Sequence, residues 1–203
     1  MSPMFSILTV CTGNICRSPL AEQLLRESVR PWPDIVVESA GTSALVGQPM
    51  TDQAQTLAVR AGVSDPTGHV ARQLTIDLVR DADLIVALTR EHRARIVELL
   101  PRASRRTFTV RELARLLVGV TGEELHDALT EGSADTAGRL AALVELAASR
   151  RGMVERADVP EDEDVVDPYR GDDALYERSA AQLTPAVSVI VRAFQSALAV
   201  PLP

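Results

Sequence analysis

The sequence contains no lysine: all 21 of its basic residues are arginine. Only two of its 203 residues are cysteine and three are histidine, and aromatic side chains make up 3%. Each scarcity closes off a class of protein. Without lysine the chain cannot carry the Gly-x-x-x-x-Gly-Lys-Ser/Thr loop of the P-loop nucleotide enzymes. Two cysteines are too few for a disulfide framework. His69, His92 and His126 are scattered, with no zinc-like spacing to either cysteine, so neither a metal nor a cofactor is expected. No apolar run approaches the roughly 20 residues that span a bilayer. The N-terminal "MSPMFSILTVC" has neither a basic leader nor a cleavage signal, which predicts a cytoplasmic protein with no membrane partner. A formal charge of -7 argues against a nucleic-acid partner, which needs a basic face. The arginine clusters at 104–106 and 149–151 read as solvated surface charge.

What is present fits an ordinary globular chain: 46% of residues are hydrophobic, enough at this length for a sizeable core. Short apolar, β-rich runs occur at 5–10, 34–39 and 82–89, with a weaker one at 106–110. Helical patterns lie between and after them, at 19–29 with Leu20, Leu24 and Leu25 on one face, at 51–61 and at 91–100. Strands that are continuous apolar runs and alternate with helices predict an α/β fold, with a parallel sheet covered on both faces. Ligands of such sheets bind at the carboxyl ends of the strands. The pattern changes in the middle of the chain. Residues 120–164 read as an insertion into a single domain, with a helix at 136–149 and then an acidic run, "ADVPEDEDVVDP", that reads as a solvated linker. A last helix is expected over 172–198, kinked or restarted at Pro185, which lacks a backbone donor.

The chemistry concentrates in "VCTGNICRSPLAE", placed between the first strand and the first helix. A strand-to-helix loop converges backbone N–H groups on an anion, and Gly13 and Asn14 tolerate the positive φ that a tight nest requires. Pro19 suits a first helical turn. Cys11 lies at the centre of this nest, where the helix N-terminus and Arg17 both favour a thiolate nucleophile. The planar Arg17 fork matches two phosphate oxygens, and Ser18 can donate a hydrogen bond to the sulfur. Phosphoryl transfer to sulfur also needs an acid for the leaving oxygen. "VVDPYRG" offers Asp167, held in a stiff turn by Pro168.

These two motifs together, with "ESAGT" at 38–42 and "GHVARQLT" at 68–75, resemble the low-molecular-weight protein tyrosine phosphatases over about residues 4–118 and 163–198. The resemblance implies a three-layer α/β/α fold with a four-stranded parallel sheet in the flavodoxin-like order 2-1-3-4, and a helical insertion before the general-acid loop. It implies that the loop Cys11, Thr12, Gly13, Asn14, Ile15, Cys16, Arg17 and Ser18 binds phosphate. Cys11 would form a phosphocysteine, and Asp167 would serve as acid and then base. Ser18, Asn14, Ser39 and His69 would support the loop. Cys16 would either guard the nucleophile by forming a disulfide with it or pack beneath the loop. The substrate would be a phosphorylated protein or a small phosphomonoester, and no oligomeric state is implied.

The loop after "SAGT" lacks the aromatic residue of phosphotyrosine-specific relatives. Leu45 or Val46 stands there, and Tyr169 remains as a wall for an aromatic ring. Phosphoarginine-cleaving relatives carry threonine at the position of Ile15, so Ile15 favours phosphotyrosine. An arsenate reductase on this scaffold would need a cysteine relay, and no cysteine follows residue 16. A non-catalytic phosphate- or phosphoprotein-binding module would need neither Cys11 nor Asp167.

Overall fold

In a computed structural model, which describes residues 4–130, 135–155 and 157–199, four strands form one parallel sheet. They are β1 (Phe5–Cys11), β2 (Ile35–Gly41), β3 (Leu84–Ala87) and β4 (Thr107–Thr109), and their order across the sheet is β2-β1-β3-β4. β1 is central, pairing along its whole length with β2 and from Ile7 to Val10 with β3. Because side chains alternate across a strand, Phe5, Ile7 and Cys11 enter one buried cluster while Leu8 and Val10 enter the other. β3 does the same, with Leu84 and Val86 on the first face and Ile85 and Ala87 on the second.

Helices cover both faces, giving three α/β/α layers. The larger layer holds α1 (Arg17–Val29), α2 (Asp52–Arg60), α5 (Val110–Leu117), α6 (Gly122–Thr130), α7 (Thr136–Ser149) and α8 (Asp173–Ala199). The smaller layer holds α3 (Ile76–Asp81) and α4 (Arg90–Leu99). No described helix is long and apolar enough to cross a membrane.

Three elements go beyond the predicted pattern. α3 and α6 are too short to show several turns of periodicity. α5 starts at a capping box, in which the Thr109 side chain accepts from Glu112 N and the Glu112 carboxylate accepts from Thr109 N. α8 runs through Pro185 without a break. Tyr176, Ser179 and Leu183 before the proline and Val187, Ile190 and Phe194 after it are all buried, and this packing outweighs one missing backbone bond.

The 120–164 region is anchored rather than loose. Leu125 and Leu129 of α6 and Leu140, Leu143 and Ala147 of α7 join the same buried cluster as Phe5 and Ile7. The arginines at 149–151 are not simply solvated: Arg151 donates to Glu112 Oε1 at 2.8 Å, and its guanidinium lies 4.0 Å from the centre of the Phe108 ring.

Candidate active site

Cys11 is the last residue of β1 and Arg17 the first of α1, so residues 12–16 reverse direction at the carboxyl end of the central strand. The turn is made by Asn14, with φ of 56°, in the left-handed region that a non-glycine residue enters only when held there. Asn14 is held through every polar group it has. Its N–H donates to Cys11 Sγ at 3.3 Å, and its C=O accepts from His69 Nε2 at 2.7 Å. Its Oδ1 accepts from Arg72 N at 2.9 Å, and its Nδ2 donates to Ser18 Oγ at 2.9 Å and to Ser39 Oγ at 2.8 Å.

The network continues inward to Glu22. Ser39 donates to Oε2 at 2.5 Å, and His69 Nδ1 lies 3.6 Å from the same oxygen. Burial alone would raise the Glu22 carboxyl, but His69, Ser39 and the Arg26 charge outweigh it and hold the group below its ordinary value. Asn14, Ser18, Ser39 and His69 are thus brought together, and all four are buried. Glu22 completes them and was not foreseen. Its signal is an acid on the buried face of α1, four residues after Ser18.

Ser18 Oγ lies 3.0 Å from Cys11 Sγ. Because Asn14 already donates to that hydroxyl, the hydroxyl proton is free to point at the sulfur, the other acceptor being Ala40 O at 3.5 Å. The sulfur therefore faces two donors, one from the loop backbone and one from α1.

From outside, the chain after β2 clamps the loop. Thr42, Ser43 and Leu45 donate their N–H groups to the carbonyls of Cys11, Thr12 and Gly13 at 2.9–3.0 Å. Gly41 is required by this approach, since a Cβ there would sit 2.4 Å from Thr12 O.

Arg17 is 5% exposed. Its Nη1 donates to Val165 O at 3.0 Å and its Nη2 lies 2.8 Å from Asp167 Oδ2, while its buried Nε has no hydrogen-bond partner among the described residues. Asp167, 52% exposed, caps its own turn by accepting from Tyr169 N at 3.1 Å. The preceding segment is strapped down: Val165 N donates to Leu88 O, Val166 N donates to Gln182 Oε1, and Asp164 takes hydrogen bonds from Arg90 N, Nε and Nη2. Glu161 pairs with Arg90 at 2.9 Å and Glu163 with Arg115 at 2.5 Å. The acidic run expected to be a solvated linker is thus tied to α4 and α5, because arginines 90 and 115 meet it only in three dimensions.

Cys16 is buried, its Sγ 3.4 Å from Tyr176 OH and 3.6 Å from Thr51 Oγ1. Both cysteines are free thiols. Burial pushes the Cys16 thiol up, and burial likewise raises the Tyr176 hydroxyl to about 12. Ile15 is buried, whereas Leu45, Val46 and Tyr169 are exposed. Leu45 stands beside Gly13, and Tyr169 follows Asp167 on the strap.

His92 was not foreseen as part of this site. It is buried, with Nε2 2.8 Å from Thr12 Oγ1 and Nδ1 2.8 Å from Thr89 Oγ1. Burial, aided by the Arg17 charge, pushes it down to about 4, so near neutral pH it is an uncharged bridge between the loop and the start of α4. Its signal is "TREH", a threonine N-cap with histidine three residues on. No three described His, Cys, Asp or Glu side chains are grouped to hold a metal ion.

Residues 6–150 match the family described as low molecular weight phosphotyrosine protein phosphatase. The chain is 44% identical over 103 residues to the low molecular weight protein-tyrosine-phosphatase Etp of Escherichia coli K12, covering 51% of this chain and 67% of Etp. It is 38% identical over 103 residues to Ptp of Acinetobacter johnsonii, covering 51% and 70%. Among solved structures, the tyrosine phosphatase AmsI of Erwinia amylovora superposes with a TM-score of 0.64 at 26% identity, over 94% of this chain and 93% of AmsI. The arginine phosphatase YwlE of Geobacillus stearothermophilus shares the fold, with a TM-score of 0.64 at 24% identity over the same shares. The chain belongs to the low molecular weight phosphotyrosine protein phosphatase family, cysteine-dependent hydrolases that work through a phosphocysteine.

Proposed function

We propose that this chain hydrolyses phosphotyrosine with Cys11 as nucleophile, Arg17 as phosphate clamp and Asp167 as general acid and base. One observation carries the assignment of roles: Arg17 of the cysteine loop and Asp167, 150 positions later in the chain, meet at 2.8 Å. The half-exposed acid is thereby held against the cation that shares its loop with Cys11.

The chemistry follows from that arrangement. The Cys11 thiolate attacks phosphorus, an S–P bond forms and the P–O ester bond breaks, while Asp167 gives its proton to the leaving phenolate oxygen. The Arg17 fork and the loop N–H groups hold the equatorial oxygens. Asp167, now a carboxylate, takes a proton from water as that water attacks the phosphocysteine. The S–P bond breaks, inorganic phosphate leaves, and the Asn14 N–H and Ser18 hydroxyl receive the returning thiolate. Thr12, Gly13, Ile15 and Cys16 complete the phosphate-binding turn, and Ser39 and His69 support it.

Buried Ile15 and the exposed pair Leu45 and Tyr169 support an apolar, aromatic leaving group. Two unpaired thiols fit a reducing, cytoplasmic setting. The region 120–164 is read as an insertion within one phosphatase domain.

The test is a panel of phosphotyrosine, phosphoserine and phosphoarginine peptides. Phosphotyrosine should be cleaved fastest, and Cys11→Ser should abolish turnover of all three. Faster cleavage of phosphoarginine would overturn the substrate; parental turnover by Cys11→Ser would overturn the mechanism. Asp167→Asn should lower kcat about 100-fold while vanadate still binds.

A further inference from the structure

A cavity of about 370 Å³ lies between α4, α5 and the strap that leads to Asp167, with no residue of the Cys11 loop in its lining. Four guanidinium groups line it, those of Arg90, Arg93, Arg115 and Arg151, against the carboxylates of Glu112 and Glu163; Pro160 forms part of the rim. Three of the four arginines are matched: Arg90 by Asp164 and Glu161, Arg115 by Glu163, and Arg151 by Glu112.

Arg93 is the exception. Its Nε donates to Thr107 O at 3.1 Å, and it only shares Glu112, at 3.9 Å. Its terminal nitrogens have no hydrogen-bond partner among the described residues, and its side chain is 34% exposed. Burial and then the charge of Arg151 push its guanidinium below the usual arginine value, with Glu112 and Glu163 acting the other way. In addition, the buried Nε of Arg115 has no hydrogen-bond partner among the described residues.

We propose that this cavity is a second anion site that takes a small phosphate-bearing molecule, held by the free face of Arg93 and by Arg115 and Arg90. Its volume exceeds that of a bare phosphate and falls in the range of small-ligand pockets. Planar guanidinium forks are suited to phosphate oxygens. An anion entering here competes with Glu163 for Arg115 and with Glu161 for Arg90, so it touches the ties of the strap rather than the nucleophile. The site does not depend on the assignment of Cys11 and Asp167.

The test is an NMR titration of the full chain with inorganic phosphate, pyrophosphate and ATP, following backbone amides. Two saturable events are expected: one shifting residues 12–18, the other shifting Arg93, Arg115 and Glu163. Arg93→Met should weaken only the second, about tenfold or more. Glu163→Gln, which leaves Arg93 in place, should strengthen the second about threefold by removing a competing carboxylate. The relative affinities of the three probes distinguish a lone phosphate, a diphosphate and a nucleotide as the preferred occupant. Shifts confined to residues 12–18, or a second event unmoved by both substitutions, would overturn the proposal.

Discussion

Asn14 has a backbone conformation that glycine would adopt at less cost, yet glycine could not replace it. The side-chain amide is what ties Ser18, Ser39 and Arg72 into one network around the sulfur. Two neighbouring residues can be tested directly. At Gly41 a methyl group would overlap Thr12 O, and the obstacle is backbone, which cannot swing aside. Gly41→Ala should therefore cost about 2–3 kcal/mol in urea unfolding and at least about tenfold in kcat/KM, since the nest must shift to make room. His92 is held down at about 4, against about 6.5 when unfolded. Between those values the unfolded chain binds a proton that the folded chain refuses, so stability falls as pH drops through that window. Between pH 7 and pH 5 the parent should lose about 2 kcal/mol more than His92→Gln in denaturant melts. Glu22, depressed in the fold, adds stability that is lost at lower pH still, as the solution passes below its ordinary value.

Among the elements, the strap from Asp164 to Asp167 is the least self-sufficient. It belongs to no helix or strand, and its position comes from Arg90, Leu88, Gln182 and Arg17 on four other segments. Asp164→Asn should loosen it, lowering kcat about tenfold while vanadate inhibition changes less than about twofold, because the nest itself is untouched. That split would separate positioning of the acid from binding of the anion. The same contrast explains what was legible in the sequence. β1, the nest and α1 are continuous in the chain, so apolar pattern, turn residues and "CRS" announced them together. The strap's partners lie 16 to 150 positions away, and "PEDED" without them looks like a solvated linker. His92 and Glu22 were missed for the same reason. Each looks ordinary on its own helix and gains a role only when Thr12 or Ser39 arrives from another element. α8 illustrates the opposite case: Pro185 predicted a kink or a restart, and buried faces on both sides carry one helix through it.

At the scale of the molecule, α7 shares its buried cluster with β1 and α8, so the region 120–164 is expected to unfold with the rest. Leu140 is fully buried there, and Leu140→Ala should cost about 2–5 kcal/mol. Trp32, packed on the same cluster beyond α1, gives a fluorescence signal that should coincide with loss of helical circular dichroism in parent and variant alike. Two separated transitions would show the insertion to be a unit of its own. β1 is buried at nearly every position and paired on both edges by backbone ladders, whereas the strap belongs to no helix or strand and is tied mostly through side chains, two of its own, Asp164 and Asp167, being partly exposed. In hydrogen exchange this makes two clocks: amides of β1 wait for the whole fold to open, and those of the strap exchange through local excursions that leave the sheet intact. Cys11, the proposed nucleophile, would thus be carried by the slowest-exchanging part of the protein and Asp167, the proposed proton donor, by a faster one, so that the acid would come and go many times within the lifetime of a single intact nest.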